Sequence, residues 1–148
     1  MTREEFIKVL DEKGYSYEIV GDKIVVTHSN DVWLETLKTI PPGVEFKNGG
    51  NVYLNSLETL PPGMVFNNRH DVFLKFLETL PPDVEFKNEG DVLLNSLVTL
   101  PPGVGFKNGG NVYLEQIFRG RFKNWPSNIE GVSSNRLLNF MISKGLFI

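Results

Sequence analysis

A repeat of 20 residues runs through the middle of this chain of 148 residues. The first full copy begins at Asp31 and reads DVWLETLKTIPPGVEFKNGG, and further copies follow without insertion from Asn51, Asp71 and Asp91. The start of another copy, NVYLEQI, follows at Asn111. Self-similarity at a short fixed period is typical of solenoids, in which each repeat packs only against its neighbours.

Each copy contains two short segments with the alternation of a β-strand. Val52 and Leu54 are two residues apart, as are Met64 and Phe66, so both side chains of each pair lie on one face of a strand. The prolines of LPP favour an extended corner, and NGG favours a turn. These breaks leave no room for an ordinary helix. The sequence therefore predicts a mainly β fold, a short right-handed parallel β-solenoid of about five 20-residue coils.

Both ends of the chain depart from the repeat and have helical patterns. Thr2 is a candidate N-cap with apolar residues at helical spacing behind it, and Gly14 is a candidate stop. Near the other end, RLLNFMISKG has the same kind of amphipathic spacing. Such caps would protect the sheet edges that a solenoid exposes. We predict one folding unit with an N-terminal cap of a helix and a β-hairpin at 1–30, solenoid repeats at 31–125 and a C-terminal helical cap at 126–148.

Two polar columns repeat with the core and are interpreted as structural. Asparagine recurs at one turn, where we expect a ladder of side-chain amides, and threonine recurs before the prolines as a row of hydroxyls. These columns are Asn48, Asn68, Asn88 and Asn108, and Thr39, Thr59, Thr79 and Thr99.

Composition argues against catalysis and against general nucleic-acid binding. The chain has no cysteine, and neither His28 nor His70 has a partner base, nucleophile or metal ligand at a recognised spacing. A carbohydrate-cleaving enzyme would need a pair of carboxylates on one exposed face. Glu45 and Glu85 share a column, but they are two coils, or about 10 Å, apart with Val65 between them, which argues against such a pair. The net charge is −3, and affinity for phosphates depends on clustered basic residues. We expect a non-enzymatic protein without a cofactor or metal.

The N-terminal sequence MTREEFIKVL has acidic residues where a secretory signal would be apolar. No apolar run approaches the roughly 20 residues of a membrane span. Together with the lack of cysteine, these features predict a cytoplasmic protein that does not associate with a membrane.

The pattern LPPGV…NGG…VYL…LETLPPG resembles the LP-x-G-L repeats of many bacteriophage and bacterial proteins, which are often labelled leucine-rich-repeat-like. The ending RLLNFMISKGLF is similar to the tails of phage members of that group. The short leucine-rich repeats of secreted bacterial effectors share LPPG, but they have apolar residues where this chain has Lys47 and Gly49. We therefore prefer a two-sided β-solenoid to a horseshoe. The resemblance implies an architecture and a phage origin, and it brings no common activity.

One column of large side chains is a candidate binding surface. Strand alternation points it outward, and an exposed row of this kind is typical of an interaction surface. The alternative is that the column packs on itself as a structural aromatic ladder. Lys75 and Phe76 replace the Asn-Ser pair of neighbouring copies and distinguish the middle of the same face. The column consists of Trp33, Tyr53, Phe73, Leu93 and Tyr113.

The segment 118–125 interleaves basic and aromatic residues and is a secondary candidate for binding. Alternating cations and rings can contact phosphates and stack on bases. However, FKN at 122–124 repeats the FKN of the coils, which favours a last truncated coil. The candidate side chains are Arg119, Arg121, Lys123 and Trp125.

Together these observations predict a protein-binding repeat module, and its resemblance to phage proteins suggests an inhibitor or modulator of a host or defence protein. A structural or self-assembling component is the alternative, since the array ends or the aromatic face can pair with another copy. Nucleic-acid contact through 118–125 is the second alternative.

Overall fold

The structure, a computed structural model, describes residues 1–101, 104–117 and 132–134. These residues form a mainly β protein, a parallel β-solenoid of about four turns with a helix at its N-terminal end. The predicted solenoid is therefore confirmed. No helix within the described ranges is long and apolar enough to cross a membrane.

The chain begins with helix α1, Arg3–Lys13, which starts and ends where the sequence predicts. The Thr2 side chain accepts a hydrogen bond from the backbone N–H of Glu5, and Gly14 closes the helix in the left-handed conformation with φ of 70°. Phe6 and Leu10 are fully buried against the solenoid core. The helix thus covers the N-terminal end of the apolar interior.

The strands form two six-stranded sheets, which we call the first and second sheets. In its spatial order the first sheet contains β1 (Tyr17–Val20), β2 (Lys23–Val26), β4 (Val44–Phe46), β6 (Val65–Phe66), β8 (Glu85–Phe86) and β10 (Gly105–Phe106). The second sheet, from its N-terminal edge, contains β3 (Val32–Trp33), β5 (Val52–Tyr53), β7 (Val72–Phe73), β9 (Val92–Leu93), β11 (Asn111–Tyr113) and β12 (Val132–Ser134).

Successive coils stack in the register set by the 20-residue period. Val52 pairs with Val72, and Phe66 pairs with Phe86, so each residue lies beside its equivalent in the next coil. The strands β2 to β11 pair in parallel within their sheets, whereas β1 and β12 pair antiparallel with β2 and β11. The apolar columns of the repeat meet between the sheets as one core. A stack of buried phenylalanines runs along it, which we call the core stack, formed by Phe46, Phe66, Phe86 and Phe106.

The asparagine column is buried and stacked, but its hydrogen bonds differ from the predicted amide ladder. Asn88 Nδ2 donates to the backbone carbonyls of His70 and Asp91, both at 3.0 Å. Two coils earlier, Asn48 Nδ2 donates to the equivalent backbone carbonyls, those of Asn30 and Asn51. Each amide therefore ties the turn of one coil to the coil before it, because backbone carbonyls at the turn are the acceptors within reach.

The threonine row is less buried than the asparagine column. Thr59, Thr79 and Thr99 are exposed, and Thr39 Oγ1 accepts a hydrogen bond of 3.1 Å from the N-terminal amine. At the far end, β12 adds an antiparallel strand beside β11. Of the predicted C-terminal helical cap at 126–148 the structure describes only this strand, and the helical pattern RLLNFMISKG lies outside the described residues.

Candidate functional site: the outer face of the second sheet

The predicted aromatic column lies on the outer face of the second sheet. Val52 and Leu54 on either side of Tyr53 are fully buried, whereas Tyr53 is only partly buried and points away from the core. Trp33 is 48% exposed, more than any other member of the column. We keep the name aromatic column for Trp33, Tyr53, Phe73, Leu93 and Tyr113.

The rings of the column also stack on one another. The centroids of Trp33 and Tyr53 are 3.7 Å apart with ring planes 5° from parallel, and those of Tyr53 and Phe73 are 4.6 Å apart at 9°. Both separations follow from the strand spacing of about 4.8 Å, which places one ring over the next. The rings of the column thus pack against one another and are still partly exposed to solvent.

An Asp and Asn row borders the aromatic column on its N-terminal side. In each coil the Oδ1 of this residue accepts the backbone N–H of its equivalent in the next coil. The bond from Asn51 N to Asp31 Oδ1 is 2.7 Å, and that from Asp91 N to Asp71 Oδ1 is also 2.7 Å. These bonds fix the carboxylates in place beside the rings.

A second polar row borders the column on its C-terminal side. Asn55 Nδ2 donates to Glu35 Oε1 at 3.2 Å, and Asn55 Oδ1 accepts the Lys75 backbone N–H at 3.1 Å. The Lys75 ammonium lies 5.9 Å from the centroid of the Phe73 ring, within the range of a cation–π contact. Lys75 is therefore placed against the aromatic column, as its departure from the repeat predicts.

Two exposed apolar side chains extend this surface toward the proline corner. Phe76 is 69% exposed, and Val98 is 52% exposed. Phe76 was predicted from the sequence as a site residue, whereas Val98 was not. Its signal was available, because Val98 occupies a column that otherwise holds Lys38, Glu58 and Glu78.

The outer faces of the two sheets differ in charge. On the second sheet, no salt bridge among the described residues involves Asp31, Glu35, Asp71 or Asp91. On the first sheet, Lys87 Nζ lies 2.9 Å from Glu85 Oε2 and holds the pKa of that carboxyl below its usual value, chiefly through their hydrogen bond. Asp31, Glu35, Asp71 and Asp91 thus have no lysine or arginine salt-bridge partner among the described residues, whereas Glu45 and Glu85 on the first sheet each have a lysine partner.

A shallow groove at the N-terminal end offers less chemistry. Met1, Arg3 and Asp22 line it together with the prolines of the first corner. The N-terminal amine of Met1 donates to Thr39, and the Arg3 guanidinium donates to the Asp22 carbonyl. Both positively charged groups of the groove are therefore hydrogen-bonded within the protein.

The two histidine and carboxylate candidates of the sequence lie apart in the structure. His28 packs beside the Tyr15 ring and accepts the Ser16 backbone N–H at 3.4 Å. Val65 pairs with both Glu45 and Glu85 and so separates the two carboxylates. No cluster of His, Cys, Asp and Glu within these ranges is able to hold a metal ion.

The secondary candidates Arg119, Arg121, Lys123 and Trp125 lie outside the described residues. Comparison of the chain with models of protein families, with curated proteins and with solved structures finds no match.

Proposed function

We propose that this protein is a non-enzymatic protein-binding repeat module and that the outer face of the second sheet is its binding surface. The observation that carries the proposal is the stack of Trp33, Tyr53 and Phe73 on an exposed sheet face. Aromatic side chains supply much of the binding energy at protein interfaces.

The rigidity of the column supports this role. A side chain that is ordered only on binding costs about 0.5–1.5 kcal/mol of conformational entropy. Tyr53 lies between two rings, and its hydroxyl accepts a hydrogen bond of 2.9 Å from Asn51 Nδ2. Since its orientation is fixed before a partner arrives, little of that cost remains.

The variation along the column is a second argument. In a stacked array, a residue type that packs well on its own copy tends to suit every coil. The core stack follows this rule with phenylalanine throughout, while the aromatic column changes from Trp to Tyr to Phe to Leu to Tyr. Self-packing alone does not require such a sequence, so the differences are available for shape complementarity to a partner.

The resemblance to phage repeat proteins suggests which partner to look for. A small module without catalytic groups would act in a bacterial cytoplasm by occupying the surface of a host or defence protein, and so inhibit or modulate it. This part of the proposal depends on the resemblance and on the binding surface together.

Affinity capture from bacterial lysate with matched variants tests the proposal. The test variant combines Tyr53→Ser and Phe73→Ser on the second sheet. The control, Val65→Ser, removes a partly buried outward side chain from the first sheet. We expect wild type and control to capture the same protein and the test variant to lose it, with circular dichroism showing that all three fold. A protein captured equally by all three would contradict the proposed surface.

Self-assembly is the second candidate, and the charge difference between the faces favours it. Lys107, an exposed lysine that follows β10 on the first sheet of one copy, complements carboxylates such as Asp31 and Asp71 on the second sheet of another. Sedimentation velocity over a wide concentration range separates the two candidates. A monomer at all concentrations would contradict self-assembly, and a salt-sensitive oligomer that Tyr53→Ser and Phe73→Ser dissociate would support it.

A further inference from the structure

Trp33 ends the aromatic column, and only one face of its indole is stacked on another ring of the described chain. Tyr53 has a ring on each side, Trp33 at 3.7 Å and Phe73 at 4.6 Å. Trp33 has Tyr53 on one side, and 48% of its surface remains exposed. This is the exposure expected of a flat ring that is covered on one face and open on the other. The stack can therefore be extended by one more planar group.

The strand that carries Trp33 is the N-terminal edge of the second sheet. Its backbone donors are already engaged, because Val32 N and Leu34 N donate to carbonyls of the next coil and Trp33 N donates to the Tyr15 hydroxyl at 3.0 Å. A partner strand would find none of these three N–H groups available for pairing. Recognition at this edge depends on side chains.

Two carboxylates flank Trp33 on the outer face. Asp31 and Glu35 are each two residues away from Trp33 along the chain, Asp31 just before β3 and Glu35 at the start of the turn that follows it. Asp31 Oδ1 accepts the Asn51 N–H and Glu35 Oε1 accepts from Asn55 Nδ2, so both side chains are held in position.

The other coils lack this combination. The residues at the three corresponding positions are Asn, Tyr and Asn in the second coil, Asp, Phe and Lys in the third, Asp, Leu and Asn in the fourth, and Asn, Tyr and Glu in the fifth. The first coil alone places an aromatic ring between two carboxylates. The charge and the open ring face therefore coincide at one end of the column.

We propose that Trp33, Asp31 and Glu35 bind an arginine side chain of the partner protein, whose guanidinium stacks on the open face of Trp33 as the next member of the aromatic column. This inference rests on the proposed protein-binding function and specifies its partner as one with an exposed arginine. The planar guanidinium stacks on indole, the most favourable ring for a cation, and its donors reach carboxylates at either side. The compact ammonium of lysine cannot stack in this way.

The direct test uses two blocked peptides of equal length, Gly-Arg-Gly-Arg-Gly and Gly-Lys-Gly-Lys-Gly. Each is titrated into the full-length isotope-labelled protein, and the NMR signals of the Trp33 indole N–H and the Tyr53 backbone amide are followed. We expect the arginine peptide to shift both signals saturably and to bind at least about fivefold more tightly than the lysine peptide.

Variants locate the site. Trp33→Leu removes the indole face, and we expect it to weaken arginine-peptide binding about tenfold, measured on the Tyr53 amide. The double variant Asp31→Asn with Glu35→Gln keeps both hydrogen-bond acceptors, since Asn51 already fills the equivalent position of Asp31, and should weaken binding about fivefold. The matched control is Glu78→Gln, which neutralises an exposed carboxylate outside the aromatic column and the two polar rows beside it. It should bind as wild type does.

Equal binding of the arginine and lysine peptides would overturn the inference, as would unchanged affinity in the double variant. The double variant serves even if Trp33→Leu disturbs folding, because it retains every hydrogen bond described for the two side chains. These outcomes are distinct from failure of the proposed function, which depends on protein capture through Tyr53 and Phe73. A partner lost with those two rings but indifferent to Asp31, Trp33 and Glu35 would leave the module a binding protein and reject the arginine site.

Discussion

Two aromatic stacks run side by side along this solenoid, one inside it and one on its surface. In the core stack, successive phenylalanine centroids are 5.6, 5.2 and 5.2 Å apart, and the rings are fully or almost fully buried. In the aromatic column, Trp33, Tyr53 and Phe73 are 3.7 and 4.6 Å apart and partly exposed. The same 20-residue period positions both stacks.

The two stacks differ in how much their residues vary. A buried ring is enclosed by close-packed neighbours, so a change of even one methylene group alters the packing. An outward ring must only tolerate the rings above and below it. Phenylalanine therefore recurs in all four full coils of the core stack, with Val26 at the equivalent position before them, whereas the aromatic column changes at each coil and is open to selection for binding.

The largest expected effect on stability comes from removing one ring of the core stack. Phe66→Ala should lower the free energy of unfolding by about 3–5 kcal/mol, because it leaves a cavity between Phe46 and Phe86. The matched change on the surface, Phe73→Ala, should cost about 1 kcal/mol, the scale of a lost aromatic pair. Urea denaturation of both variants measures the difference. Equal losses would contradict the division between the two stacks.

A smaller loss is expected from the buried asparagine column. Asn88→Ala removes two hydrogen bonds to backbone carbonyls of the turn, and should lower the free energy of unfolding by about 2 kcal/mol. Asn55→Ala, in the more exposed row beside the aromatic column, should cost about 0.5–1 kcal/mol. The comparison is made by the same denaturation. A larger effect at Asn55 than at Asn88 would show that the outer rows, rather than the turns, hold the coils together.

A gain in stability is expected at one departure from the repeat. Asp83 has φ of 67°, and the equivalent residues Gly43 and Gly63 have φ of 84° and 75°. Because an L side chain is strained in this region, Asp83→Gly should raise the free energy of unfolding by up to about 1 kcal/mol. Gly63→Ala should lower it by about 1 kcal/mol. Thermal unfolding of the two variants checks the opposite signs, and a destabilised Asp83→Gly would contradict the strain.

The smallest effect concerns the ion pair on the first sheet. The folded-state pKa of Glu85 is lowered by Lys87, so the pair contributes stability above the ordinary carboxyl pKa and loses it as the pH falls through the lowered value. Lys87→Ala should return the Glu85 pKa toward its ordinary value in an NMR titration. An unchanged pKa would show that Lys87 is not its cause. Capture of the partner should be unaffected, because this pair lies on the opposite face.

Much of the fold was predictable because the repeat imposes its own register. A 20-residue period with strand spacing at Val52 and Leu54 requires stacked coils, and Thr2 and Gly14 mark a helix by local hydrogen bonding alone. The amide bonds of the asparagine column were not predictable in detail. Their acceptors are turn carbonyls, such as those of His70 and Asp91, whose direction depends on the three-dimensional path of the turn.

The candidate site was predictable in its position and less so in its properties. Strand alternation placed Trp33 and Tyr53 outward, but ring separations and the open face of Trp33 depend on side-chain packing. Val98 was not predicted because the three preceding coils hold charged residues at its position, so that no apolar pattern leads up to it. The lack of a cation partner for Asp31 and Glu35 among the described residues was not predictable either, since residues distant in the chain determine which charges lie close together.

The central claim is that one aromatic stack serves folding and the other serves binding, and it is tested by measuring stability and partner capture on the same two variants. Phe66→Leu should lower the free energy of unfolding by about 1 kcal/mol or more and leave the captured protein in place. Phe73→Ser should lower the free energy of unfolding by about 1 kcal/mol, as expected for Phe73→Ala, and should lose that protein. Capture that follows stability in both variants, or that survives Phe73→Ser and fails in folded Phe66→Leu, would contradict the account.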